Sequence, residues 1–232
     1  MKEKTVNYLV QGQGQPVVFV HGWGGNMKSL ESLAALASAR YQTVTLDLPG
    51  FGQSDQPDPD WGVKEYTETV ISLMKKLKLS NIVYFGHSFG GSLGIYIAAN
   101  YPGLIKKLIL CDSSFKREVK TSPIARFFRK LPSKLKLFLY RVFFPNSDLA
   151  KFPHLEANFR KIILEDLSGY LSKINIPTLI LWGEGDRQTP VDGAYELKNK
   201  IKNSKLKIYP NIGHNLPIKN PELVYYELAK FI

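Results

Sequence analysis

The chain is 232 residues long, 44% hydrophobic, and carries a formal net charge of +11 at pH 7. That is enough apolar sequence to bury one sizeable sheet core, which favours a single domain with an insert over two independent domains. The lone cysteine excludes an internal disulfide, residues 1 to 7 lack the apolar run of a secretory leader, and no stretch has the uninterrupted apolar length of a bilayer span, so a soluble cytoplasmic protein is expected.

In chain order, strand-like runs near residues 4 to 10, 16 to 21, 42 to 47, 82 to 86, 106 to 111, 178 to 182 and 205 to 209 alternate with helical stretches near 29 to 39, 63 to 78, 89 to 100, 191 to 201 and 221 to 231. Alternation of this kind predicts an α/β fold, a mostly parallel sheet with helices on both faces. No internal repeat is present, and Gly-Pro turns rather than a low-complexity linker separate the elements.

The run ending at Val20 opens into His21-Gly22-Trp23-Gly24-Gly25, which reads as a tight loop with free backbone amides. The next strand ends at Asp47-Leu48-Pro49-Gly50-Phe51-Gly52, a shaped turn whose carboxylate is expected to fix backbone amides. Residues 82 to 85 then lead into Gly86-His87-Ser88-Phe89-Gly90-Gly91, a Gly-x-Ser-x-Gly motif between a strand and a helix. A serine on such a turn is strained and exposed, and only residues without bulk fit beside it, which makes Ser88 the candidate nucleophile. A serine hydroxyl is a poor nucleophile at neutral pH, so a base, an orienting acid and oxyanion donors are required.

Four histidines are candidates for the base. His214 lies in a loop-like pause after the strand-like residues 206 to 209 and is the best choice. His87 adjoins the serine, but strand alternation turns its ring away from the Ser88 hydroxyl, which predicts a structural role. His21 fits a loop better than a base, and His154 falls in a polar, solvated segment. For the acid, Asp186 follows the strand-like residues 177 to 182, where catalytic groups of parallel sheets gather. Asp112 occupies the analogous place one strand earlier and is the runner-up, and Glu184 is two residues from the favoured position. Cys111 sits in an apolar run as a buried, inert thiol.

These motifs, taken together, resemble those of the α/β-hydrolases, over nearly the whole chain apart from a middle insert. His21 to Gly24 resembles that family's oxyanion loop, Asp47 to Ser54 its next loop, Gly86 to Gly91 its nucleophile elbow, Leu181 to Asp186 its acid turn and Gly213-His214 its histidine loop; the order nucleophile, acid, histidine is the family's. The resemblance implies that the backbone amides of Trp23 and Phe89 form the oxyanion hole, that no metal or cofactor is used, and that residues 115–165 are a small helical lid inserted into a core of residues 1–114 and 166–232.

The insert is basic. Residues 115 to 150 hold nine Lys or Arg against two acids, seven of the chain's eleven net positive charges. On a helix over residues 132 to 144, Leu135, Phe138, Leu139, Val142 and Phe143 would share one face, and Leu137, Tyr140 and Phe144 roughly the opposite one. Two apolar faces suit a lid that rests on the body and offers its other side to an acyl chain, while burial of both faces under a merely solubilising charge is the alternative. A functional charge would favour an anionic partner, namely an acidic carrier protein, an anionic lipid surface or a charged small ester, and not nucleic acid.

The expected activity is hydrolysis of a carboxylic ester or thioester through Ser88, His214 and Asp186 and an acyl-enzyme. A carbon-carbon bond hydrolase of the same fold and a hydrolase-like small-molecule receptor are the alternatives. Serine at the elbow argues against dehalogenases and epoxide hydrolases, which resemble this fold but place aspartate there.

Overall fold

A computed structural model describes residues 4–116 and 151–232. Within them the strands are β1 (Tyr8–Gln11), β2 (Pro16–Val20), β3 (Gln42–Leu46), β4 (Ile82–His87), β5 (Ile105–Cys111), β6 (Thr178–Gly183) and β7 (Ser204–Tyr209). The helices are α1 (Glu31–Ser38), α2 (Val63–Lys76), α3 (Phe89–Asn100), α4 (Glu156–Ile162), α5 (Asp192–Lys200), α6 (Leu216–Lys219) and α7 (Pro221–Phe231), with short 3₁₀ turns at Met27–Leu30, Pro153–Leu155 and Ser168–Lys173. The strands form one seven-stranded sheet in the order β1-β3-β2-β4-β5-β6-β7. β1 runs antiparallel to β3, and all other pairings are parallel.

The apolar strand runs are long because the sheet is covered on both faces. Side chains alternate along each strand, so Val18, Tyr84, Leu108, Leu110, Ile180 and Trp182 face a core built with α2, α3 and α5. Phe19, Phe85, Ile109, Cys111 and Leu181 face the opposite core, beneath α1, α6 and α7. Each wholly buried large side chain contributes about 1.5–3 kcal/mol over the exposed state, which makes these central strands the stable floor of the molecule.

α2 shows how the helices dock. It buries Val63, Tyr66, Thr67, Val70, Ile71, Leu73 and Met74, an apolar stripe of helical period. At its start Glu65 accepts the Gly62 amide (2.7 Å) and Glu165 accepts the Val63 amide (3.0 Å), which places acidic groups at the positive end of the helix. Since Glu165 follows α4, the same bond pins the returning end of the expected insert to the core.

The architecture agrees with the expected α/β class, with one correction at the amino end. β1 begins only at Tyr8, because the preceding residues bond to loop side chains instead of a strand: the Thr5 amide donates to Asp55 Oδ2 and the Asn7 amide to Ser54 Oγ, both at 2.8 Å. Residues 117–150, with the helix expected at 132–144 and most of the basic cluster, lie outside the described residues. Among the described residues no helix is long and apolar enough to cross a membrane.

Candidate active site

Parallel strands deliver their following loops to one edge of the sheet. β2 therefore carries Trp23, β4 carries Ser88, β5 Asp112, β6 Asp186 and β7 His214 to the same carboxyl edge. The elbow is sharply bent, with Ser88 at φ 52 and ψ −114. A non-glycine residue in such a region costs about 1–3 kcal/mol, which the surroundings must offset. They do so through tight packing: a Cβ on Gly86 would stand 2.4 Å from the Gly90 carbonyl oxygen, and one on Gly90 2.2 Å from that of Val20. The two glycines of the motif are required by space.

Ser88 Oγ lies 3.0 Å from His214 Nε2, and His214 Nδ1 lies 2.7 Å from Asp186 Oδ2. This spacing fits a neutral imidazole that donates from Nδ1 to the carboxylate and accepts the serine hydroxyl at Nε2. Burial by itself would raise Asp186, but hydrogen bonds from His214 and Thr189 hold it below the usual carboxylate range. Its other oxygen, Oδ1, accepts the amides of Gln188 (2.8 Å) and Thr189 (3.0 Å). The Thr189 hydroxyl stands 2.6 Å from Asp186 Oδ2 and 3.1 Å from the Asp112 carbonyl oxygen, so its single hydrogen favours the carboxylate.

The remaining candidates are sorted by their contacts. His87 donates Nε2–H to the His214 carbonyl oxygen at 2.8 Å, and burial, with His214 close by, lowers its pKa to about 3. It supports the base through the main chain. His21 is buried and lowered to about 4, and a neutral ring satisfies both of its contacts by donating from Nδ1 to the Gly22 carbonyl (2.7 Å) and accepting the Leu48 amide at Nε2 (3.0 Å). Asp47 accepts the amides of Met27 and Gln53 and the side chain of Asn7, the turn-fixing role its motif predicts. His154 and Glu184 are exposed, and the Cys111 thiol is buried and raised well above its usual range.

The loop after β2 turns back where the Gly25 amide donates to the Gly22 carbonyl (3.1 Å), with Gly24 at φ 77, a backbone region suited to glycine. A Cβ on Gly22 would come within 2.9 Å of Ser88 Cβ, so this loop rests directly on the elbow. Trp23 follows Gly22 and Phe89 follows Ser88, and both line a pocket of about 1350 Å³ that also contains Ser88 and His214. One wall is aromatic: the Trp23 ring lies 5.0 Å from Phe51, 5.6 Å from Phe89 and 5.4 Å from Phe159. The other wall, after Asp186, includes Arg187, Gln188, Asp192 and Glu196.

His87, Asp112 and His214 bring potential ligand atoms within 4.8 Å of one another. His87 Nε2 bonds the His214 carbonyl, the ring nitrogens of His214 face Asp186 and Ser88, and the Asp112 oxygens accept the amides of Gly183 (2.9 Å) and Leu216 (3.3 Å). The chemistry of this set is that of a hydrogen-bonded support and not of an open metal site. Thr189 and the contact of His87 were not foreseen from the sequence; a threonine three residues after Asp186 was the available signal for the first.

The sequence profile described as "alpha/beta hydrolase fold" matches residues 15–160 and 156–221. The chain belongs to the alpha/beta hydrolase family. Among relatives of this hydrolase, the AB hydrolase superfamily protein YisY of Bacillus subtilis is 30% identical, over 99% of this chain and 96% of its own length. The 2-hydroxy-6-oxononadienedioate/2-hydroxy-6-oxononatrienedioate hydrolase of Escherichia coli is 28% identical, over 92% of this chain and 85% of its own. A solved N-acyl homoserine lactone degrading enzyme superposes with TM-score 0.83 at 20% identity, covering 100% of this chain and 98% of that one, a likeness of fold.

Proposed function

We propose that this hydrolase cleaves a carboxylic ester or thioester through Ser88, His214 and Asp186, by way of an acyl-enzyme. The observation behind the proposal is the continuous line from Ser88 Oγ through the imidazole of His214 to Asp186, at 3.0 and 2.7 Å. As Ser88 Oγ bonds to the acyl carbon, its proton passes to His214 Nε2, and Asp186 stabilises the imidazolium. The oxyanion is received by the amides of Trp23 and Phe89. The alcohol or thiol leaves with the proton from His214, and a water molecule activated by the same base then releases the acid from Ser88.

The aromatic wall around Trp23 and Phe159 suits an apolar acyl group. An anionic partner at the basic segment of residues 115 to 150, an acidic carrier protein or an anionic lipid surface, is part of this reading, and its binding is expected to weaken as salt is raised. Binding indifferent to salt would remove it. Carbon-carbon bond hydrolysis is the second reading, favoured by the E. coli relative, whose name states such a dienedioate substrate.

The test is turnover of p-nitrophenyl esters from acetate to decanoate, beside a vinylogous diketone panel, for the wild type and Ser88→Ala. Ester turnover that Ser88→Ala abolishes supports the proposal; turnover of the diketones alone selects the second reading. A Ser88→Ala rate equal to the wild type rejects both.

A further inference from the structure

Among the described residues, Asp112 is the one buried carboxylate beside the proposed relay that the relay does not use. It is wholly buried and has φ 45, so the position combines the cost of a buried acid with that of a left-handed backbone. Filling a core explains neither, since an apolar side chain would avoid burying an acid and glycine would meet the left-handed backbone with less strain. Its hydrogen bonds offer the explanation. Oδ1 accepts the amide of Gly183, which ends β6 three residues before Asp186, at 2.9 Å. Oδ2 accepts the amide of Leu216, two residues after His214, at 3.3 Å. The carbonyl oxygen of Asp112 stands 3.1 Å from the Thr189 hydroxyl, and its own amide continues the sheet by donating to Leu181 at 3.0 Å.

We propose that Asp112 is a positioning residue, whose two carboxylate oxygens clamp the turn carrying Asp186 to the loop carrying His214 and so hold the base against Ser88. The inference rests on the reading of Ser88 and His214 given above. A carboxylate is rigid, so gripping one amide with each oxygen fixes the separation of the two segments. The two segments lie directly against each other, since a Cβ on Gly183 would stand 2.5 Å from the Ile212 carbonyl oxygen, so a shift of one is passed to the other. A displacement of the base by a fraction of an ångström is costly in rate, because proton transfer depends on the alignment of donor and acceptor.

The clamp also sets charge beside the base. The groups facing Asp112 are Asp186, His214 and His87, with Cys111 next to it in the chain. Burial, with the nearby Asp186, pushes the Asp112 carboxyl up to about 7, against the amide bonds that favour its charged form. Near neutral pH it therefore supplies part of a negative charge close to the imidazole, which favours the imidazolium formed during attack.

Two variants test this with p-nitrophenyl butyrate and a fluorophosphonate probe. Asp112→Asn keeps the shape, and Asp112→Gly relieves the left-handed backbone and so protects folding while removing the carboxylate. Both are expected to lose about ten-fold or more in kcat and in the rate of probe labelling, corrected for active enzyme, with KM within about two-fold of wild type. Unchanged kcat and labelling rate in the folded variants, whatever their Tm, would overturn the role of Asp112 while leaving Ser88 in place. Full turnover in Ser88→Ala would instead overturn both readings.

Discussion

His87 Nε2 donates to the main-chain carbonyl of His214 across 2.8 Å, joining residues 127 positions apart in sequence. The residue before the proposed nucleophile thus holds the backbone of the proposed base, and the elbow and the histidine loop form one unit.

That contact needs a neutral ring, which gives the fold a pH dependence. An exposed histidine in the unfolded chain takes up a proton near 6.5, whereas burial holds folded His87 at about 3 and His21 at about 4. The unfolded state therefore binds more protons between those values, and stability falls as pH falls from about 6.5. Asp112, raised from 3.8 to about 7, acts in the opposite sense over that interval and offsets part of the loss. Each buried histidine contributes on the order of 2 kcal/mol of destabilisation between about pH 7.5 and about pH 5. His87→Gln keeps a donor in the place of Nε2 but cannot titrate, so its loss of Tm between those two pH values should be smaller than that of the wild type. Equal losses by thermal melting would show that His87 titrates as freely folded as unfolded.

The Thr189 hydroxyl holds Asp186 Oδ2 at 2.6 Å. Thr189→Val removes it with little change of shape, and a hydrogen bond to a charged group contributes about 1.5–3 kcal/mol. Since Asp186 keeps two backbone amides and His214, only part of that is expected in catalysis: a fall of about ten-fold in kcat, with KM nearly unchanged. Steady-state kinetics checks it, and wild-type kcat would mean that the amides alone orient the acid.

How much of this was legible in the sequence depends on how local each cause is. Gly86 and Gly90 were legible because the steric demand of the elbow lies within five residues of chain. Asp186 and His214 were legible because each follows a strand-like run whose end fixes where the next residues go, and the structure brings both to Ser88. Asp112 follows a strand in the same way and is the runner-up to Asp186 in the sequence; its actual partners, the amides of Gly183 and Leu216, arrive with the ends of β6 and of the loop after β7. Strand alternation gave His87 a structural role, and no hydrogen bond links it to the Ser88 hydroxyl among the described residues. Its partner came from the far end of the chain, which no local pattern encodes. β1 starts late for a similar reason, since Ser54 and Asp55 take the amides that a longer strand would have paired.

The contact of the β2 loop with the elbow makes Gly22 a sensitive point. An added methyl would meet Ser88 Cβ at 2.9 Å and His87 Nδ1 at 3.3 Å, so the loop must lift. Gly22→Ala is expected to lower kcat by about 100-fold through displacement of the Trp23 amide, the cost of losing one oxyanion donor. Far-ultraviolet circular dichroism should remain that of the wild type. Activity within a few-fold of wild type would show that the Trp23 amide is not an oxyanion donor.

The most direct measurement is the mass of the peptide containing Ser88 after exposure of the whole protein to a fluorophosphonate. A proton relay through His214 should give one adduct, on Ser88, formed at least about 1000-fold more slowly in His214→Asn. An adduct on another residue, no adduct at all, or labelling of Ser88 at the same rate without His214 would contradict it.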